Sequence, residues 1–117
     1  MATAETIQLP EDLRLALDKA VQALVEAVHP KLIILFGSFA EGRAGRDSDV
    51  DLLVVTETEM GNRWETIRGL RKIVYPHLQA WGLDLVAYGP DQWEDVRRLP
   101  GLLPREVDEY GLRLYEE

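Results

Sequence analysis

Two aspartates, Asp49 and Asp51, stand two residues apart at the head of an apolar run that continues to Val55. In an extended strand this spacing sends both carboxylates to one face, while Val50 and Leu52 face the other way. Like charges at that distance repel, so a buried or half-buried pair needs a proton or a cation to be tolerated. Oxygen ligands of this kind suit Mg²⁺, which takes one or two carboxylates and completes its octahedron with water and phosphate. Taken alone, Asp47-Ser48-Asp49 also reads as a solvated turn entering a strand. A second element lies just upstream, where Leu32-Ile33-Ile34-Leu35-Phe36 ends at Gly37-Ser38. Glycine lets backbone approach a phosphate closely, and a serine opening a helix offers a hydroxyl and N–H groups at its positive end. Gly-Ser after a strand is by itself a common turn. Joined to Asp49-x-Asp51 by the ten residues Phe39 to Ser48, with buried-strand patterns on both sides, it becomes a much narrower signal: a phosphate seat beside metal-binding carboxylates.

The elements that must position these groups follow from periodicity and punctuation. Residues 1 to 9 lack periodicity and read as a loose arm, and Pro10 fits the first turn of a helix. From Glu11 to about Val28, apolar residues recur at three- and four-residue spacing, predicting an amphipathic helix with Glu11 and Asp12 in its first turn. His29-Pro30 ends it. Leu32 to Phe36 is apolar on both faces, which suits a strand at the centre of a sheet or covered on both sides. Phe39 to Arg43 has room for a short helix, and Gly42 and Gly45 make Arg43 to Ser48 a loop. The second strand runs from about Asp49 to Val55. Asn62 is placed to cap a helix reaching about Gln79, with Trp64, Ile67, Leu70, Ile73, Val74 and Leu78 inward and Arg63, Arg68, Arg71 and Lys72 largely outward. Pro76 would kink or end it, and Trp81-Gly82 reads as a turn. Leu83 to Tyr88 is a third strand carrying one charge, Asp84. Gly89-Pro90 breaks it, and Asp91 is placed to cap a helix from Gln92 to Leu99. A last helical turn from Glu106 to Tyr110 and a strand from Leu112 to Tyr115 close the chain. This order fits one α/β or α+β domain over residues 1–117.

Composition narrows the chemistry. A chain of 117 residues with 46% hydrophobic and 29% charged residues matches one packed domain. No apolar run approaches the ~20 residues that span a bilayer, and the N-terminus lacks the basic start and apolar core of a signal peptide. A cytoplasmic location with no membrane contact is the expectation. The absence of cysteine excludes thiolate chemistry, and two histidines, His29 and His77, are too few and too far apart to suggest a zinc site. Both read as structural or solvated. A formal net charge of −8 argues against stable nucleic-acid binding, although a nucleotide escorted by metal ions remains open, as does a basic protein partner.

The spacing G-S-x10-D-x-D, here Gly37-Ser38 and Asp49-Val50-Asp51, resembles the signature of the nucleotidyltransferase superfamily related to DNA polymerase β. Gly37 to Ala44 followed by Ser48 to Leu52 looks like its minimal nucleotidyltransferase branch, small antitoxin-like proteins that accompany HEPN-domain toxins. The resemblance implies a mixed central sheet of about four strands flanked by helices. It also implies a third carboxylate on a later strand, for which Asp84 stands ready. The other reading of Asp84 is a solvated charge on an edge strand. In the family's chemistry, Asp49, Asp51 and Asp84 would hold two Mg²⁺ ions, with Asp84 helping to activate the acceptor hydroxyl. Gly37 and Ser38 would cradle the β- and γ-phosphates of ATP. Arg43 and Arg46, in the polar loop, could reach phosphate as well, while Ser48 shapes the turn before the strand. The expected reaction moves AMP to a hydroxyl of a HEPN-type toxin, by resemblance a tyrosine. A non-catalytic antitoxin that occludes its partner and a small-molecule transferase of the aminoglycoside type are the alternatives. Trp64, Trp81 and Trp93 could stack a base but read first as core.

Overall fold

A computed structural model describes residues 9–45 and 47–117, so residues 1–8 of the expected arm and Arg46 lie outside the described residues, and Leu9, expected in that arm, packs against the core. Nine elements follow the expected order. They are α1 (Glu11–Val28), β1 (Leu32–Phe36), β2 (Val50–Val55), α2 (Arg63–Val74) running into a 3₁₀ turn (Tyr75–His77), β3 (Leu83–Tyr88), α3 (Pro90–Val96), α4 (Leu103–Tyr110) and β4 (Leu112–Glu116). The strands form one sheet in the order β3-β2-β1-β4. β1 pairs antiparallel with β2 and β4, whereas β2 and β3 run parallel, with α2 in the connection between them. This is the mixed four-stranded sheet that the sequence predicts.

Alternation along the central strands builds two cores. Ile33 and Leu35 of β1 and Val50, Leu52 and Val54 of β2 pack with Leu13, Leu17, Ala20 and Leu24 of α1 and Leu70 and Val74 of α2. The opposite faces of the same strands, Leu32, Ile34, Leu53 and Val55, pack against Trp93 of α3 and Val107 of α4. Burial on both faces explains why β1, and β2 beyond Asp51, are apolar. The second face is covered only by helices of seven and eight residues, and Asp51, one position before Leu52, projects to it. No helix of the described residues is long and apolar enough to cross a membrane.

Several local expectations are corrected. Phe39 to Arg43 is not a helix. Glu41 N donates to Gly37 O at 3.0 Å, then Gly42 N donates to Phe39 O and Arg43 N to Ser38 O. With Gly42 at φ +73, these six-to-one and five-to-two bonds are a Schellman closure after a single turn. Pro76 falls in the 3₁₀ turn and ends α2 there, short of Gln79. Asp91 does not cap α3. That helix starts at Pro90, and the Glu59 carboxylate, from the β2–α2 connection, accepts the Asp91 N–H at 2.6 Å. α4 begins three residues earlier than expected because Pro104 sits in its first turn, where a missing N–H costs nothing. Trp64 does not join the inner stripe of α2 and is 74% exposed. Trp93 is core as expected, and Asn62 does cap α2, accepting from Glu65 N at 3.1 Å. His29 closes α1 in a left-handed conformation.

One ion network ties the thinly covered face together. Asp108 of α4 accepts from Arg97, the residue that closes α3, at 3.1 Å and from Arg113 of β4 at 2.5 Å, and the Arg113 side chain is only 13% exposed. Removing the carboxylate leaves the largely buried Arg113 with only the exposed Glu116 at 4.0 Å as counter-charge, which costs more than losing an exposed pair would. Asp108→Ala is expected to lower stability by about 2 kcal/mol, measured by urea unfolding. Glu94→Ala, which removes an exposed partner of Arg97, should change it by less than about 0.5 kcal/mol.

Candidate active site

Sheet register assembles the three aspartates. Phe36 of β1 lies opposite Asp51, and Asp51 lies beside Asp84 in the parallel β2–β3 pair. Adjacent residues in register share a face, so Asp51 and Asp84 project together toward the side covered by α3 and α4. Asp49 precedes β2 by one residue and, two before Asp51, follows the same alternation. Asp49 and Asp84 are exposed and Asp51 is half-buried. Burial pushes the Asp51 carboxyl up to about 6, and the charges of Asp84 and Asp49 add to the rise.

Two glycines make room for these acids. Gly37 follows β1 at φ +77, and a Cβ there would overlap Asp51 Oδ2. The position is closed to other residues by backbone conformation and by the carboxylate together. Gly82 plays the same part for Asp49, since its Cβ would overlap Asp49 Oδ1, while its carbonyl accepts Val50 N at 2.7 Å. Reading Trp81-Gly82 only as a turn misses this role. The signal was available: once Asp51 is aligned with Asp84 in parallel, Gly82 falls opposite Asp49.

The Gly37-Ser38 turn stands at the end of β1 next to this acidic edge. Because it spans a single helical turn, its attraction for an anion would come from its own N–H groups and not from a helix dipole. Arg43, on the exit of the turn, is exposed and pairs with Glu41 at 2.9 Å. It stands beside the turn, tied to Glu41 and not to the aspartates. Ser48 acts as expected on the loop, its hydroxyl accepting Gly45 N at 2.8 Å. A cavity of about 130 Å³ opens between the turn and α4, lined by Phe36, Gly37, Ala40, Leu103 and Tyr110 among others. Sequence reasoning gave α4 no part at this edge.

Among the described residues, no three carboxylate or imidazole side chains close into a metal cage. The acids form an open row of hard oxygen donors, strongly negative and accessible on one side. Such a row fits Mg²⁺ that keeps water and takes its remaining ligands from a phosphate, and does not fit a fully enclosed structural ion.

The raised Asp51 pKa has a sign that can be tested in protein stripped of divalent cations. An unfolded aspartate loses its proton near 3.8. Between that value and about 6 the folded state binds more protons than the unfolded state, so stability falls as pH rises through this window. Discounted for the solvent that reaches this carboxylate, the cost at neutral pH is about 1–2 kcal/mol. Asp51→Asn should therefore be more stable than wild type by that amount at pH 7.5 and indistinguishable at pH 4 in urea unfolding with chelator present.

Comparison with known proteins agrees with this geometry. The family model described as "Nucleotidyltransferase domain" matches residues 17–100, which include β1, the turn, β2 and β3. A candidate protein adenylyltransferase of Methanocaldococcus jannaschii is 42% identical over 53 residues, 45% of this chain. That match spans 36% of the relative, about a third of its length. Among solved structures, a toxin–antitoxin crystal structure with AMP-PNP matches at TM-score 0.55 and 27% identity, covering 86% of this chain and 73% of that chain. A chain of the MntA-HepT toxin–antitoxin crystal structure shares the fold at TM-score 0.53 and 23% identity, covering 89% of this chain and 73% of its own. With its family model spanning the helices and strands that carry the glycine-serine turn and all three aspartates, the chain belongs to the nucleotidyltransferase domain family.

Proposed function

We propose that the protein is a Mg²⁺-dependent nucleotidyltransferase that moves AMP from ATP to a hydroxyl of a HEPN-type partner protein, as the antitoxin of a toxin–antitoxin pair. The observation that carries the reading is the shared register of Asp51 and Asp84, with Asp49 and the Gly37-Ser38 turn at the same sheet edge. The similarity to a toxin–antitoxin structure containing AMP-PNP and to a candidate protein adenylyltransferase supports the choice of donor and of partner class.

In this reading Asp49, Asp51 and Asp84 would hold Mg²⁺, with Asp84 nearest the acceptor. The bound cations would neutralise phosphate charge and lower the pKa of an attacking hydroxyl. The chain's own groups supply position. Gly37 and Ser38 offer backbone N–H groups to the β- and γ-phosphates, and Arg43 exchanges Glu41 for phosphate oxygens, a geometry its guanidinium fork suits. The half-buried Asp51 fixes the row, because it is held by strand pairing on both sides. Pyrophosphate leaves as the acceptor oxygen bonds to the α-phosphorus, so catalysis is mostly alignment and charge stabilisation.

Incubation with α-labelled ATP, MgCl₂ and the purified product of the adjacent gene should place label on that protein. Asp49→Asn, Asp51→Asn and Asp84→Asn should each reduce labelling by about 100-fold or more. Unlabelled partner, or labelling unchanged in Asp51→Asn, would contradict the reading. Gly82→Ala separates site geometry from folding. Its backbone accepts alanine, and only the exposed Asp49 side chain must move. Its melting temperature should stay within about 3 °C of wild type while labelling falls roughly 10-fold.

A further inference from the structure

The outward face of α2 is chemically unlike the rest of the molecule. Trp64, Arg68, Arg71 and Tyr75 recur at four-, three- and four-residue spacing and therefore lie along one side of the helix and its 3₁₀ extension, with Lys72 at the margin. All five are exposed; Trp64 is 74% and Tyr75 53% accessible. Within its twelve residues α2 carries four cations and a single carboxylate, on a chain of formal net charge −8. Among the described residues, Arg68, Arg71 and Lys72 form no ion pair within 4.0 Å. The aliphatic stems of these three and the Tyr75 ring, with Pro76, frame a shallow, largely apolar notch. A tryptophan and a tyrosine left in water beside unpaired arginines is the composition of an interface centre and not of a solvated face.

The stripe also borders the strand that carries Asp84. Arg71 donates to the carbonyl of Leu83 at 3.1 Å, at the start of β3, so the stripe reaches the strand that carries Asp84, whose side chain projects around the sheet edge to the opposite face. It flanks β3, the edge strand of the sheet. From Trp64 to Tyr75 the helix rises about 16 Å, the footprint of one packed element and not of an extended polymer.

We propose that this face of α2 is the docking surface for the acceptor-bearing partner, which meets it with an acidic surface carrying an apolar anchor for the notch. The proposal rests on the reading that the acceptor belongs to a second protein. Carboxylates on the partner pair with Arg68, Arg71 and Lys72, and the partner passes around β3, an edge strand of the sheet, to set the acceptor hydroxyl beside Asp84. A protein fits better than RNA. A strand running from the stripe into the site would carry its phosphates onto three aspartates of an acidic chain, whereas a folded acidic patch can stop short of them.

The test uses the purified product of the adjacent gene, with binding measured by calorimetry. The double variant Arg68→Glu/Lys72→Glu and the single variant Trp64→Ala alter only exposed side chains. Each should weaken partner binding at least 10-fold, and lower labelling in proportion when partner is limiting, while affinity for ATP with MgCl₂ stays within twofold. Arg14→Glu/Lys19→Glu on α1 makes the same change in net charge elsewhere and should leave partner binding within twofold. Stripe variants that bind within twofold of wild type, an α1 control that weakens binding equally, or a wild-type protein that does not bind would overturn the proposal. So would a 20-nucleotide single-stranded RNA that binds wild type and loses affinity only in the stripe variants. The two readings fail separately: a stripe-dependent complex without label refutes nucleotidyl transfer alone, and undiminished label with stripe variants refutes the docking surface alone.

Discussion

Sheet pairing across Phe36, Asp51 and Asp84 is the constraint on which the rest of the molecule depends. It forces two carboxylates onto one face at adjacent strands, with a third two residues away, against their mutual repulsion. The apolar strands supply what the arrangement costs, since β1 and β2 are buried on both faces and cannot shift register without exposing one of them. Gly37 and Gly82 complete the constraint by leaving space that no Cβ could share with the carboxylates. Burial first, and then the charges of Asp84 and Asp49, raise the Asp51 pKa, and a divalent cation is the natural relief of that crowding.

Much of this was legible in the sequence because the relevant signals are local. The both-sided apolarity of Leu32 to Phe36 marks a central strand, and the Asp-x-Asp spacing sets two acids on one face. The role of Asp84 followed from resemblance, and its position beside Asp51 rests on a parallel pairing that no local pattern encodes. Where tertiary contacts decide, local reading failed. Glu59 caps α3 from thirty-two positions away, so the nearer Asp91 looked like the cap. The helix expected after Ser38 stops after one turn because Gly42 adopts the left-handed conformation. Helical spacing from Ile67 and Leu70 puts Trp64 in the inner stripe, although its place on the helix lies with Arg68, Arg71 and Tyr75 and not with Leu70 and Val74.

That misplaced tryptophan shows how unevenly the surface is divided. The cationic, aromatic face of α2 touches β3 at Arg71 and Leu83, one residue before Asp84 turns to the opposite face of the sheet. The open acidic edge and the exposed stripe on α2 are the two surfaces that the proposed partner would engage. The second face, held by short helices and the Asp108 network, keeps that edge accessible.

The central claim is that the aspartate row is a cation-dependent nucleotide site, and thermal unfolding tests it most directly. MgCl₂ with ATP should raise the melting temperature of the wild-type protein by several degrees, as ligand binding to the folded state requires, and neither component alone should match it. The same mixture should leave Asp51→Asn unshifted. An equal shift in both proteins, or none in the wild type at millimolar ATP, would contradict the account.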